Sequence, residues 1–351
     1  GALFALTIFA AAYYFSHAGR ERFSRGKDQG WFRASIFLLT VLLLEITRNK
    51  VSFPILLVDR FFPGWGRAEI FLLACYASWL GGKMFSPEGA KIMRPRIWAL
   101  FSLVFFGQLA LGLAGIEQFL MTGKLHLPVP ALIAAGPVYR GSGFFMPILF
   151  TVSVLLVGPA WCSHLCYIGA WDDQCSRFGN LRPSRKFNSR LIWLRLVLLV
   201  LVVGAAWGMR AAGVSAAIAV WSAALFGLAG ITVMFWFSRR MGMMVHCTAF
   251  CPMGIVSNLL GRISPWRMKI SDDCCKCMKC SRACRYNALK PVDIEAGRPG
   301  ISCTLCGDCI SSCSSSSLGY RLPIVTPKTA RMIFLVIVIT LHALFLGVAR
   351  I

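Results

Sequence analysis

Charged residues are scarce in this chain, and acidic residues are the scarcest. Asp and Glu together number 14 in 351 residues; 15% of the residues are charged and 57% are hydrophobic. An ordinary soluble domain carries more charge than this. The composition therefore excludes a soluble domain. Several uncharged runs have the length of membrane spans, each of which takes roughly 20 apolar residues.

The chain also lacks the residues on which several common cofactors depend. It has five histidines, and no two of them lie on one predicted span, which argues against a haem held by transmembrane histidine pairs. We find no flavin or nucleotide motif; the glycine-rich stretch 227–230 lies inside a span, where glycine serves helix packing. The sequence therefore points away from haem, flavin and nucleotide chemistry.

Basic residues outnumber acidic ones strongly and give a net charge of +23. No basic face with interleaved aromatic residues stands free of the spans, so we expect membrane lipid as the surrounding partner and no nucleic acid. Lys and Arg gather in the cytoplasmic loops of membrane proteins. This rule predicts the cytoplasmic loops 17–33, 83–96, 172–190 and 239–329.

The expected fold is an all-α polytopic membrane protein with about eight transmembrane helices and an inserted small α+β module. The predicted spans are 1–16, 34–47, 68–80, 97–115, 144–161, 191–209, 214–237 and 332–349. The predicted domains are N-terminal helices at 1–121, a transmembrane core at 122–262, a cytoplasmic cysteine-rich module at 263–325 and a C-terminal helix at 326–351.

The cysteine-rich module contains one cysteine pattern twice. Each copy reads C-x2-C-x2-C-x3-C, the spacing that bacterial-type ferredoxins use to hold two [4Fe–4S] clusters. Because the fourth cysteine of each run reaches the other cluster, the predicted ligand sets are crossed. The first set is Cys274, Cys277, Cys280 and Cys313, and the second set is Cys303, Cys306, Cys309 and Cys284.

Two further cysteine pairs occur where spans meet the cytoplasmic loops. Cys162 and Cys166, like Cys247 and Cys251, fit the pattern C-x3-C-x2-G, so a span with a cysteine pair is repeated within the chain. Four thiolates brought together suit a third iron–sulfur cluster or another thiolate-bound metal. Inert buried cysteines and a redox disulfide are the alternatives. We assign no role to the remaining cysteines, Cys75, Cys175 and Cys275.

Together these motifs resemble the NapH/NosR/CcoG-type membrane polyferredoxins, over roughly residues 125–320. The resemblance implies a bacterial inner-membrane protein with a cytoplasmic ferredoxin module, which relays electrons between quinone or quinol and a redox partner. The sequence departs from the family pattern at Tyr167, Arg285 and Ser314, which stand where the motifs usually have proline. Loss of proline beside a cluster is expected to alter its potential or exposure.

A quinone site is predicted in the proline-rich loop around residues 123–140, at the membrane face opposite the cysteines. His126 can take up a proton near neutral pH, and Glu117 is the candidate for a second proton. Arg195, near the start of a span, is an ionisable group that can snorkel to the interface.

The function we expect is that of a quinol-dehydrogenase-like electron-transfer subunit of a larger respiratory complex. Its partners would be other redox subunits, ferredoxin-like or cytochrome. One alternative is a CcoG-like metal reductase that matures a copper protein and uses the C-x3-C pairs for copper. Another is a membrane assembly or regulatory protein whose clusters sense redox state. The sequence leaves open whether the chain is an enzyme.

Overall fold

The protein is built mainly from α-helices. The computed structural model describes residues 25–119, 127–178, 183 and 191–348. The helices in these ranges are α1 Arg25–Lys50, α2 Leu57–Phe61, α3 Gly66–Met84, α4 Pro87–Leu113, α5 Leu132–Arg140, α6 Phe145–Val157, α7 Tyr167–Arg177, α8 Leu191–Ala211, α9 Ala216–Val233, α10 Arg239–Met241, α11 Pro252–Leu260, α12 Lys279–Ala283, α13 Pro291–Glu295 and α14 Pro327–Gly347. Two short strands, β1 Arg267–Ile270 and β2 Leu318–Arg321, pair in a two-stranded sheet.

Six helices of the described residues are long and apolar enough to cross a membrane. They are Asp28–Lys50, Pro87–Leu113, Phe145–Leu165, Trp193–Ala211, Ala216–Met241 and Pro327–Gly347. Each overlaps a predicted span, which is compatible with a multi-pass membrane protein. The predicted span 68–80 forms the middle of α3, which is not among the six, and the predicted span 1–16 lies outside the described residues.

One unit combines the two ends of the chain. It contains the described part of residues 1–124, together with 266–269 and 318–348. In it α1, α3 and α14 pack against one another, and α14 is buried along most of its length. A polar contact lies within this packing, because the Tyr76 hydroxyl on α3 is 3.1 Å from His342 Nε2 on α14.

The second unit contains the described residues of 125–265 and 270–317, and so includes all twelve cysteines of the predicted sites. Its larger helices are α5, α6, α8, α9 and α11, with α5 and α11 packed on α8, and α6, α8 and α9 lie in candidate spans. The cysteine-rich segment 270–317 contributes the short helices α12 and α13. The expected boundary between a core at 122–262 and a module at 263–325 therefore falls inside one packed unit.

Candidate functional site

Both cysteine pairs have the same local structure. Each pair begins in a five-residue π-helical turn, Trp161–Leu165 or His246–Phe250, and ends at the residue that caps the next α-helix. Cys166 is the N-cap of α7 and Cys251 is the N-cap of α11. The sequence repeat is thus a structural repeat. A π turn is rare and occurs frequently at functional sites.

The second cysteine of each pair points its sulfur at a helix N-terminus. The Gly169 N–H lies 3.4 Å from Cys166 Sγ and donates to it. In the other repeat the N–H groups of Met253 and Gly254 lie near Cys251 and oppose the rise of its pKa. Unpaired N–H groups at a helix start favour negative charge. The C-x3-C-x2 spacing therefore sets each second cysteine at a helix start, where N–H groups offset part of the cost of a buried thiolate.

The glycine that closes the second motif is required by close packing. A Cβ at Gly254 would lie 2.8 Å from the Cys247 carbonyl oxygen and 2.9 Å from Arg195 Nη1. No side chain fits there unless the backbone shifts, so this glycine lets α11 approach the cysteine turn.

The four paired cysteines line one cavity of about 40 Å³. The cavity is also lined by Arg195 of α8, by Asn258 of α11, and by Ser302 and Thr304 from the cysteine-rich segment. Among the described residues, no three His, Cys, Asp or Glu side chains form a group that could hold a single metal ion. A cluster differs from a single ion in that it binds each cysteine through a different iron atom, so its cysteines surround a volume rather than meet at one point.

The lining of the cavity is mostly apolar but includes buried polar atoms that lack a partner. Both amide atoms of Asn258 and the Ser302 hydroxyl are buried and have no hydrogen-bond partner. Buried polar groups are normally satisfied, and an exception calls for an unseen partner. The four thiols and these unpartnered polar atoms are groups that a thiolate-bound cluster could use.

Burial governs the protonation of the paired cysteines. It raises the pKa of the Cys247 thiol well above its ordinary value, and the charges of Asp172 and Cys251 raise it further. Burial likewise raises the pKa of the Cys166 and Cys251 thiols. Thiolates at such a site need a compensating positive charge, which a metal centre supplies as it displaces the protons.

Two charged residues that we did not predict as site residues hold the second cysteine turn. Arg195 Nη1 donates to the Cys247 carbonyl oxygen over 3.1 Å, and the Cys247 N–H donates to Asp172 Oδ2 over 2.9 Å. Burial raises the Asp172 pKa to about 6. Arg195 is only 2% exposed, so the expectation that it snorkels to the interface is wrong. The signal that could have identified Arg195 is a charge within a predicted span, a functional hypothesis by default.

The histidines beside the pairs are buried. His246 lines the cavity and packs against Phe250 in a tilted arrangement, with ring centroids 5.4 Å apart. Burial lowers its pKa to about 4, so it is neutral near pH 7. His164 Nδ1 lies 3.0 Å from the Ser163 hydroxyl.

The eight ferredoxin-type cysteines have electrostatic neighbours that match the crossed sets. Burial raises the pKa of Cys280, followed by the charges of Cys313 and Cys274, which belong to the same predicted set. The pKa of Cys309 is raised by burial, then by its set members Cys306, Cys284 and Cys303. Cys313 therefore lies near Cys280, and Cys284 lies near Cys303 and Cys309.

The two sets differ in exposure. Cys277 of the first set is exposed, and its pKa is lowered because the Lys279 N–H donates to its sulfur. Cys303 of the second set has its pKa raised to about 12 by burial. The first set thus faces solvent more than the second. Cys275, which we assigned no role, is exposed beside it and contacts Ser315 at 4.0 Å.

The predicted quinone segment does not lie where we expected it. His126 is outside the described residues, and Glu117 is exposed in a 3₁₀ turn. Pro130 and Ile133, predicted at the face opposite the cysteines, instead line the cysteine cavity. The reason is that this loop is apolar and packs inward, with Val129 against α9 at Gly227.

The other end of this segment does lie far from the cysteines. Val138 accepts a hydrogen bond of 3.4 Å from Arg210, at the end of α8 opposite to Arg195. Fifteen residues separate the two arginines, which is about 22 Å along a helix. The segment therefore extends from the cavity to the far end of α8.

Comparison with known proteins singles out the paired cysteines. Residues 139–186 and 220–271 each match the model of a family described as a 4Fe-4S binding domain. Each match contains one C-x3-C pair, and both end before Cys274. The match supports iron–sulfur binding by segments that lie outside the eight-cysteine pattern.

Two curated proteins are similar to parts of the chain. "Putative electron transport protein YccM" of Escherichia coli (strain K12) is 24% identical over 228 residues, which are 58% of this chain and 62% of that protein. "Uncharacterized protein MJ0749" of Methanocaldococcus jannaschii is 26% identical over 182 residues, 49% of this chain and 68% of that protein. The chain thus spans less than two thirds of the first relative. No solved structure matches it.

Proposed function

We propose that the protein is a membrane-bound iron–sulfur protein that transfers electrons between quinone and a redox partner. One observation carries this proposal: two repeated segments, each similar to a 4Fe-4S binding domain, direct their four cysteines at a single buried cavity. The name of the Escherichia coli relative, an electron transport protein, agrees with this function.

Each cysteine group has its own role in this proposal. Cys274, Cys277, Cys280 and Cys313 hold one [4Fe–4S] cluster, and Cys303, Cys306, Cys309 and Cys284 hold the other. Cys162, Cys166, Cys247 and Cys251 hold a third cluster or another thiolate-bound metal. Clusters of this type exchange single electrons at potentials that the protein tunes. The chain supplies the thiolates, the N–H donors and the buried charge of Arg195.

Quinone is the proposed membrane-side partner. The segment that we predicted for it begins at the cysteine cavity, with Pro130 and Ile133 in its lining, and this apolar entrance supports a quinone headgroup near the paired cysteines. His126 and Glu117 remain the candidate proton acceptors. A quinol that gives up electrons also gives up protons, which a histidine near neutral pH can accept.

The proposed location is a bacterial inner membrane, crossed about eight times, with the cysteine-rich segment in the cytoplasm. The basic loops support this orientation. The reducing cytoplasm also preserves cluster thiolates. We infer that the protein is a subunit of a larger respiratory complex, beside ferredoxin-like or cytochrome subunits.

Metal analysis of the full chain, purified without oxygen in detergent, tests the proposal. Three clusters predict about twelve iron atoms per chain, whereas two predict about eight. Cys162→Ser should remove about four irons and one EPR signal. Cys175→Ser is the matched control, because Cys175 lies on α7 nine residues after Cys166 and lines no part of the cavity. Copper at this site, or a Cys–Cys bond with no metal, would overturn the cluster assignment and favour the maturation or redox-disulfide alternative.

A redox titration tests the quinone partner separately. Quinol added to the oxidised protein should produce the EPR signals of reduced clusters. If dithionite reduces the clusters but quinol does not, at any ratio of quinol to quinone, the quinone proposal is contradicted. The cluster assignment would remain intact.

A further inference from the structure

Within the described residues, three polar contacts join the cysteine-rich segment to the elements around the paired cysteines. Each of the three contacts adjoins a cysteine of the second set. The first is the buried Ser163, next to Cys162, whose hydroxyl donates to the Thr304 carbonyl oxygen over 2.9 Å. Thr304 directly follows Cys303. A single hydrogen bond therefore joins the residue after a paired cysteine to the residue after a second-set cysteine.

The second place is Arg285, which directly follows Cys284. Its Nη1 donates to the Gly242 carbonyl oxygen over 2.8 Å and also to the carbonyl oxygen of Ser176. Its own carbonyl oxygen accepts from the Met244 N–H over 3.0 Å. Ferredoxin-type motifs usually have proline here. Proline could donate neither bond, so the departure from the motif supplies an anchor.

The third place is Asp308, directly before Cys309. Arg177 at the end of α7 donates to Asp308 over 2.8 Å and to Asp173 over 2.7 Å, so one guanidinium joins α7 to the second cysteine run. Both carboxylates are largely buried, with side chains 9% and 1% exposed. Breaking such a buried pair costs more than breaking a surface pair.

The first set shows the opposite character. Cys277 and the neighbouring Cys275 are exposed. Ser314, which replaces the motif's proline after Cys313, is exposed too, so that departure adds no buried anchor. The basic residues Lys276, Lys279 and Arg282 lie within the run that supplies three cysteines of this set.

We propose that Ser163, Arg285 and Asp308 are docking residues, which hold the second cysteine set against the paired-cysteine site and leave the first set as the solvent-facing end of the relay. The inference rests on the proposed function, because both sets must carry clusters. It goes further by giving the order of the sites: paired cysteines, second set, first set. Electron tunnelling weakens steeply with distance, so this order fixes which cluster meets the partner.

Exposure of each cluster to solvent tests the order without any activity measurement. The full-length protein in detergent is reduced with dithionite, and Cys274→Ser and Cys303→Ser each delete one EPR signal and so assign the two sets. A soluble dysprosium chelate then shortens the spin relaxation of whichever cluster it approaches. We expect a several-fold larger effect on the first-set signal. Equal or reversed effects would overturn the proposal.

The docking variants test the residues themselves. In Arg285→Ala the effect of dysprosium on the second-set signal should rise toward that of the first set, while Arg282→Ala, a substitution in the first run, should leave it unchanged. Asp308→Asn provides an independent break in case Arg285→Ala fails to fold. If both docking variants keep the wild-type relaxation, the assigned role is wrong.

Iron content separates this failure from failure of the proposed function. A wild-type protein with about eight irons refutes a third cluster, yet the relaxation of the two remaining signals still reports their order. A protein with about twelve irons and equal relaxation of both ferredoxin-type clusters refutes the docking order alone.

Discussion

Gly254 is the residue where the fit around the cysteines is tightest. In Gly254→Ala the new methyl group would meet the Cys247 carbonyl and Arg195 at under 3 Å. Overpacking of this kind costs about 1–3 kcal/mol, and we expect the paired site to lose its iron first. Iron content and thermal unfolding measure both effects.

Gly204→Ala is the control for this substitution. Gly204 lies inside α8, and a methyl group added there would have no atom within 4 Å; alanine also favours helix by about 0.5–1 kcal/mol. This control should keep its iron and unfold no earlier than wild type. Normal iron in both variants would show that the close approach at Gly254 is dispensable.

Arg195 is the residue whose charge bears most directly on the paired site. A buried cation stabilises the more negative, reduced form of a bound cluster, so Arg195→Met should lower the midpoint potential of the paired site. A tenfold loss in that stabilisation corresponds to about 59 mV for one electron. An EPR-monitored redox titration measures the shift.

Arg210→Met tests whether the position of the charge matters. Arg210 is at the other end of α8, where it bonds to Val138, and its loss should leave the potential unchanged. Equal shifts in the two variants would indicate a general charge effect and would contradict a specific role for Arg195.

At the scale of elements, the cysteine spacing predicted which residues lie close together, which the periodicity of the helices does not. C-x2-C-x2-C-x3-C fixes which cysteines can share a cluster, and the neighbours of Cys280 and Cys309 agree with it. The π turns at the pairs could not be predicted. A C-x3-C spacing suits an ordinary helical turn equally well, so the spacing alone does not distinguish the two.

The contact between α3 and α14 offers a test of packing within the helical unit. The Tyr76 hydroxyl and His342 Nε2 are 3.1 Å apart, and His342 is buried. Hydrogen bonds between membrane helices contribute about 0.6 kcal/mol on average and up to about 1.7. Tyr76→Phe should therefore lower the unfolding free energy in detergent by about 1 kcal/mol.

The neighbouring Cys75→Ala is the matched control, since Cys75 is on the same helix with an exposed side chain. Its unfolding free energy should be that of wild type. A Tyr76→Phe protein as stable as this control would mean that the bond to His342 adds nothing net to stability.

At the scale of the whole molecule, hydropathy predicted the positions of the six candidate spans but not which helices pack against one another. The sequence predicts a C-terminal helix within 326–351 but does not indicate its neighbours, and in the structure α14 packs with α1 and α3. Apolar length is a local property, and helix partners are chosen by shape and by single polar contacts such as Tyr76 with His342. Likewise the inward course of the loop at Val129 and Pro130 involves the contact of Val129 with Gly227 of α9, which no local pattern encodes.

The structure of the second unit and the charges of the loops together predict how the protein is oriented in the membrane. Ser142 is exposed near the end of α8 that carries Arg210, whereas the paired cysteines adjoin Arg195 at the other end. The excess of Lys and Arg in the loops predicts that the cysteine-rich segment lies in the cytoplasm. An engineered Ser142→Cys should therefore be accessible from outside the cell.

Labelling by a membrane-impermeant thiol reagent, read at each residue by peptide mass spectrometry, checks this orientation. In spheroplasts the cysteine of Ser142→Cys should react, and the exposed Cys275 should react only after the membrane is opened. Inverted membrane vesicles should give the reverse pattern. Cys275 labelled in intact spheroplasts would place the cluster-binding segment on the outer face. Because such a face would expose the cluster thiolates to an oxidising compartment, that result would also remove the cytoplasmic partner from the proposed function.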